Sequence, residues 1–371
     1  MSLTFLLKRT HSYTLIRPLS ISTSHITFKQ KTTPTMGKKK SSTPGEENLL
    51  LPTPPSHLPI VDTHTHIAST FEFYRGRYKQ GKYLDVHEFV RAMYDGRKVE
   101  AVVDVWCEAP VRAFWREFAD AAKDEGKWGG MEYWFVMGVH PHEAKLYTDD
   151  VEKDMYVPPL PPFALSSTHP SSQPRSDVPP PLRRMGGTLF ARQLRQAVRL
   201  EKPLTIHTRE AEEDTVRILK EEVPREYKIH IHCFTDSPEF AQRLLDHFPN
   251  LYIGITGVIS YATNHNTSAV IRNMVSFCPP SSSPTSPPPS PLRILLETDA
   301  PFMVPANLYD DLPAIKGKKL PICHSAMVPW TAKFVADVAN QAVEKDGKEG
   351  LWTPDEVMRV ARENARRVYG V

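Results

Sequence analysis

Cysteine is scarce in this chain. Its four residues, Cys107, Cys233, Cys278 and Cys323, lie far apart and form no CxxC pair. That spacing argues against a disulfide framework and for free thiols in a reducing compartment. Long apolar runs are missing too: nothing approaches the roughly 18 consecutive residues of a membrane-spanning helix, so no membrane association is expected. Acid is absent from residues 1–45, which carry eight Lys or Arg and no Asp or Glu. Without that segment, 38 basic residues face 43 acidic ones, so the net charge of +3 is no argument for a nucleic-acid-binding surface. No Ser or Cys elbow offers a protein nucleophile. Finally, no Glu occurs between Glu152 and Glu201.

What is present is a globular composition, 40% hydrophobic over 371 residues. Residues 1–57 read as a disordered basic leader and a Pro-rich linker. Arg9 and Arg17 among Phe5, Leu6, Leu7, Leu15 and Ile16 have the composition of a mitochondrial transit peptide. Met36, ahead of Gly37 and three lysines, serves equally well as a start, which would leave the protein cytoplasmic or nuclear. A fluorescent fusion of the full chain distinguishes the two: import into mitochondria supports the longer leader, and a cytosolic or nuclear signal rejects it.

From residue 58 short apolar runs alternate with helical patterns, which means parallel strands joined by helical crossovers. Seven strands are legible, near residues 60, 100, 133, 203, 228, 251 and 293. Capping boxes mark helix starts at Asp85 with Glu88 and at Thr353 with Glu356, and Ser237-Pro238 opens another helix. Stretches rich in Pro and Ser at about 157–187 and 279–291 read as low-complexity insertions. The fold class is α/β, a TIM (β/α)8 barrel of 58–371 with its fourth strand missing or disrupted by the first insertion.

The polar residues that stand out fall at strand C-termini, the end that carries active sites in such barrels. His64 and His66 alternate along one strand and so share a face, roughly 7 Å apart. His207, His232 and Asp299 each end an apolar run. Any one of them has a bland explanation, such as a hydrogen-bonded core histidine or a helix cap. Five at one end of the sheet suit zinc, or magnesium and manganese if more oxygen ligands join. An ion held there lowers the pKa of bound water from 15.7 to roughly 7. Arg209 can hold a phosphate or carboxylate in a fork or pair with Glu210 or Glu213. His140 and His142 follow the third strand within reach of a substrate. His230, two residues before His232, reads as interior filling.

Five motifs in order then resemble the TatD-type metal-dependent deoxyribonucleases, in particular a fungal branch. They are Asp62-Thr63-His64-Thr65-His66, Gly138-Val139-His140-Pro141-His142, Ile206-His207-Thr208-Arg209-Glu210-Ala211, His232-Cys233-Phe234 and Glu297-Thr298-Asp299-Ala300-Pro301. The resemblance covers nearly all of 58–371. It implies a barrel with two divalent ions (Mg, Mn or Zn). His64, His66 and Asp299 would hold one, and His207 and His232 the other. DNA phosphodiesters would be attacked by activated water, with Asp299 catalytic and His140 and Arg209 at the phosphate.

One motif of that family is absent. Its fourth strand carries Gly-Glu-x-Gly-Leu-Asp, whose Glu bridges the ions and would fall close to Ser171. The second ion is then expected to be weakened. Either the enzyme is impaired or a mispredicted splice junction has replaced an exon; the clean return of the pattern at Leu189 favours the latter, and transcript sequence across codons 150–190 decides. Two other functions stay open: an interaction protein on a catalytically impaired barrel, and a hydrolase of small esters or amides on the same scaffold.

Overall fold

The computed structural model describes residues 43–50, 58–107, 112–124, 126–140, 145–155, 164–168, 180–276, 290–345 and 352–371. His142, Cys278, Ser171, the leader up to residue 42 and most of the two Pro/Ser stretches lie outside them.

Strand and helix alternate along almost the whole chain. The first half runs β1 (Ile60–Thr65), α1 (Ile67–Arg77), α2 (Val86–Tyr94), β2 (Val99–Trp106), α3 (Arg112–Ala121), β3 (Glu132–Met137), α4 (Asp149–Met155), β4 (Ala164–Thr168) and α5 (Pro180–Arg199). The second runs β5 (Leu204–His207), α6 (Glu212–Glu222), β6 (Ile229–His232), α7 (Pro238–His247), β7 (Leu251–Ile255), α8 (Asn266–Ser276), β8 (Ile294–Leu296), α9 (Leu308–Asp311), α10 (Val328–Lys345) and α11 (Pro354–Tyr369). All eight strands pair in parallel in chain order. The two outer strands then meet. Asp299 N donates to His64 O (2.8 Å), His66 N donates to Ala300 O (3.0 Å), and Thr65 bridges Ala300 in parallel, so the sheet curls back on itself as a barrel.

Strand alternation sorts the core into two layers. Ile60, Val102 and Phe135 face outward into the layer under the helices. Val61, Ala101, Val103 and Leu295 face inward, where Ala365 and Val368 of α11 pack against them. The expected caps are made: Asp85 accepts from the His87 and Glu88 amides, Ser237 from Phe240, and Thr353 from Glu356. Each such cap is worth about 1 kcal/mol. Gly370 ends α11 at φ 85°, a conformation other residues adopt only with strain.

Two expectations are corrected. The fourth strand is not missing. β4 lies inside the stretch read as an insertion and pairs over four residues with β5 but over only two with β3. Strand pairing is main-chain hydrogen bonding, and Ala164-Leu165-Ser166-Ser167-Thr168 is a Pro-free run between Pro162 and Pro170 that can supply it without a strongly apolar pattern. α5 likewise begins at Pro180, before the apolar periodicity resumes. Nor is 1–57 unstructured throughout. Glu46–Leu49 forms a 3-10 turn whose Leu49 is 1% exposed. The Tyr74 hydroxyl donates to Glu46 (2.7 Å), Tyr78 donates to Pro44 O (3.0 Å), and His324 Nε2 meets Leu49 O at 2.8 Å. One apolar side chain and a few well-placed polar atoms are enough to fasten a short strap, a pattern that composition does not display.

Candidate metal centre

The C-terminal rim of the barrel is assembled from β1, β5, β6 and the turn after β8. Asp299, at φ 52° in the left-handed region, stands at its focus. Its Oδ1 lies 3.3 Å from His66 Nε2, 3.7 Å from His64 Nε2 and 3.8 Å from His232 Nε2. Ligand atoms around a tetrahedral ion at ~2.1 Å stand ~3.4 Å apart, so these spacings suit a shared cation. Ligand atoms of His64, His232 and Asp299 all fall within 4.8 Å of one another. The rings of His64 and His232 are stacked, with centroids 3.4 Å apart.

Protonation supports the same use. Burial, and then the neighbouring imidazoles of His232 and His66, hold His64 well below the ordinary histidine value, leaving lone pairs free. His64 Nδ1 is buried without a hydrogen-bond partner. Burial also works against protonated His66 and His232. In each, nearby carboxylates outweigh it and hold the ring above the ordinary value: Asp299 for His66, and Glu297 with Asp299 for His232. A cation arriving between them and Asp299 displaces those protons.

The rings are aimed from behind. His66 Nδ1 meets Val105 O at 3.1 Å, and His232 Nδ1 meets Glu297 Oε1 at 3.1 Å, so both present Nε2 to Asp299. Ligand histidines are commonly oriented this way by a carbonyl or carboxylate on the far nitrogen. Glu297 is wholly buried and also accepts from Cys233 N at 2.6 Å. Burial alone would raise its carboxyl, but His232 and His230 beside it bring the carboxyl down to about 2, so it is ionised. Within β1, Asp62 accepts from the Thr298 amide and hydroxyl (3.0 and 2.6 Å) and from Ser325 (2.7 Å), tying the His64 strand to the Asp299 turn.

His207 stands at the next position round the rim, its ring 5.6 Å from His232 and 6.0 Å from His140. Burial, then His232 and His140, lowers it to about 3. The three-residue cluster therefore links His232 to His64 and Asp299 and leaves His207 outside, although the resemblance had grouped His207 with His232. Arg209 is exposed and has no salt bridge among the described residues, while Glu213, one of its expected partners, is engaged by Arg243. β4 ends at Thr168, in register with His207, and none of its five residues is Asp or Glu.

Sequence reasoning placed these ligands at the rim but gave Glu297 no role. The clue was available: a carboxylate directly after Ile294-Leu295-Leu296 is bound for the interior and needs a partner there. His230 is interior, as expected, but not inert. Its Nδ1 meets Tyr369 Oη at 2.7 Å.

Residues 177–370, more than half the chain, match the family model described as TatD related DNase. A human protein named as a 3'-5' RNA nuclease, TATDN2, is 27% identical over 331 residues, which cover 86% of this chain and 37% of that protein. The 3'-5' ssDNA/RNA exonuclease TatD of Citrobacter koseri is 26% identical over 186 residues, covering 47% of this chain and 60% of that one. The match thus spans less than two thirds of each relative's length. Among solved structures, an uncharacterised amidohydrolase of Saccharomyces cerevisiae superposes with a TM-score of 0.58 at 16% identity, over 84% of this chain and 100% of that one, a likeness of fold.

Proposed function

Since the chain belongs to the TatD-related DNase family, we propose that it is a metal-dependent nuclease that hydrolyses phosphodiester bonds of nucleic acid. The observation that carries this reading is the convergence of His64, His66 and His232 on Asp299 Oδ1 at 3.3–3.8 Å, from segments far apart in sequence. These donors fit a divalent cation, Mg, Mn or Zn. When bound, the ion supplies a water acidic enough to attack at neutral pH and polarises the scissile group.

The chain's own residues do the rest. Asp299, whose Oδ1 faces the three histidines, would help hold the ion and would take up a proton from the attacking water. His140 and the exposed Arg209 receive the phosphate on the His207 side, where Arg209 offers a two-pronged donor. His207 would contribute to a second ion site, weakened because β4 brings no Glu. The family's description as a DNase supports DNA as the first choice of substrate, and the relatives' names, an RNA nuclease and an ssDNA/RNA exonuclease, support RNA as the second.

Release of nucleotides from single- and double-stranded DNA and from RNA, each with Mg²⁺, Mn²⁺ and Zn²⁺, tests the reading. Metal-dependent release from DNA supports it, and release from RNA alone shifts the substrate. Turnover of small esters with nucleic acid untouched rejects it for a different hydrolase. No turnover at all in metal-loaded protein rejects it for a binding role.

A further inference from the structure

Behind His232 a line of buried and half-buried polar groups leads away from the rim. Thr205 Oγ1 lies 2.6 Å from Tyr369 Oη, which lies 2.7 Å from His230 Nδ1. His230 Nε2 lies 2.9 Å from Glu297 Oε2, and Glu297 Oε1 receives His232 Nδ1 at 3.1 Å. His230 and Glu297 are fully buried and Thr205 is nearly so. The His230–Glu297 approach is close but not aligned as a hydrogen bond, and neither atom has a hydrogen-bond partner among the described residues. The groups come from β5, α11, β6 and the end of β8, so the last helix is joined to the rim through the barrel interior.

The donors in this line are not free to choose. An ionised carboxylate only accepts, so His230 Nε2 and His232 Nδ1 must both carry hydrogen. In the tautomer with hydrogen on Nε2 alone, His230 Nδ1 accepts from Tyr369, and Tyr369 in turn accepts from Thr205. At the other end the same constraint leaves His232 Nε2 as the nitrogen that offers a lone pair to a cation on the Asp299 side once its own proton is displaced.

We propose that Tyr369, acting through His230 and Glu297, is a positioning residue that fixes the tautomer of His232 and so sets the affinity of the rim for a divalent cation. The proposal rests on His232 being a ligand, as in the function proposed above. It does not require that the substrate be nucleic acid.

Tyr369→Phe removes one hydroxyl and keeps the ring. Mn²⁺ and Zn²⁺ titrations of chelator-stripped full-length protein then read the dissociation constant, and ¹⁵N chemical shifts of His232 in the metal-free protein, at a pH high enough to leave the ring neutral, read its tautomer. The expected result is an affinity about tenfold or more weaker, the scale seen when partners behind metal ligands are removed, with the Nδ1-H form of His232 losing its dominance. His230→Gln, whose amide can still donate to Glu297, should retain more affinity than His230→Leu. If Tyr369→Phe does not fold, this pair supplies the comparison. Unchanged affinity and tautomer in Tyr369→Phe, or equal loss in His230→Gln and His230→Leu, would overturn the proposal. Intact metal binding without nucleotide release would instead reject the proposed function and leave the positioning role standing.

Discussion

Gly254, in the middle of β7, is the position where a single methyl group should do most damage. A Cβ there would stand 2.4 Å from His230 Nε2 and 2.5 Å from Glu297 Oε1. Non-bonded heavy atoms rest at ~3.5–4.0 Å, so relief takes a displacement of about 1 Å. Neither group has room: both are fully buried, and the same Glu297 oxygen holds the Cys233 amide at 2.6 Å and His232 at 3.1 Å. Overpacking costs ~1–3 kcal/mol, and weakening a hydrogen bond to a charged acceptor adds ~1.5–3 kcal/mol. Gly254→Ala should therefore lose roughly 3–5 kcal/mol of stability. Urea unfolding of chelated protein measures this without a contribution from bound metal. Gly76→Ala in α1, where a Cβ meets nothing within 4 Å, is the control and should gain ~0.5–1 kcal/mol. Should Gly254→Ala fall within about 0.5 kcal/mol of the parent, the tightly filled interior behind His232 is wrong.

Other outcomes follow from the same geometry. Leu49→Ala should cost ~2–5 kcal/mol in urea unfolding, because the side chain is buried in the core although it precedes the barrel; a neutral result would mean that the strap does not hold. In acid, the metal-free protein should weaken steeply between about pH 4 and 3. His207 (about 3 folded, 6.5 free) and Glu297 (about 2 folded, 4.5 free) bind protons more readily when unfolded, so each adds stability that is lost as pH falls. Asp62 and Asp104, raised by burial to about 7 and about 6, oppose this only above about 3.8, their unfolded value. Urea midpoints should therefore fall as the pH drops across that window; a flat profile there contradicts it. Arg209→Ala should raise KM about tenfold or more and leave metal affinity unchanged, whereas a loss of bound metal would place Arg209 in a different role.

Much of this was legible because burial and periodicity leave marks on sequence. The seven apolar strands, the caps at Asp85, Ser237 and Thr353, and the five polar residues ending their runs all appear where the patterns place them. β4 was not legible, since its five residues carry no periodic apolar signal and Pro-rich sequence surrounds them. α1 starts directly after His66 without a side-chain cap and announces itself poorly. The Glu297, His230 and Tyr369 line depends on which strands stand side by side across the barrel interior, a three-dimensional fact that no one-dimensional spacing encodes.

The account stands on one cation seated among His64, His232 and Asp299. Anomalous diffraction from crystals grown with Mn²⁺ or Zn²⁺ addresses it directly. A peak at coordination distance from the Nε2 atoms of His64 and His232 and a carboxylate oxygen of Asp299, absent in Asp299→Ala crystals, is predicted. An ion bound elsewhere in the barrel, or none at this rim at saturating metal, would contradict it.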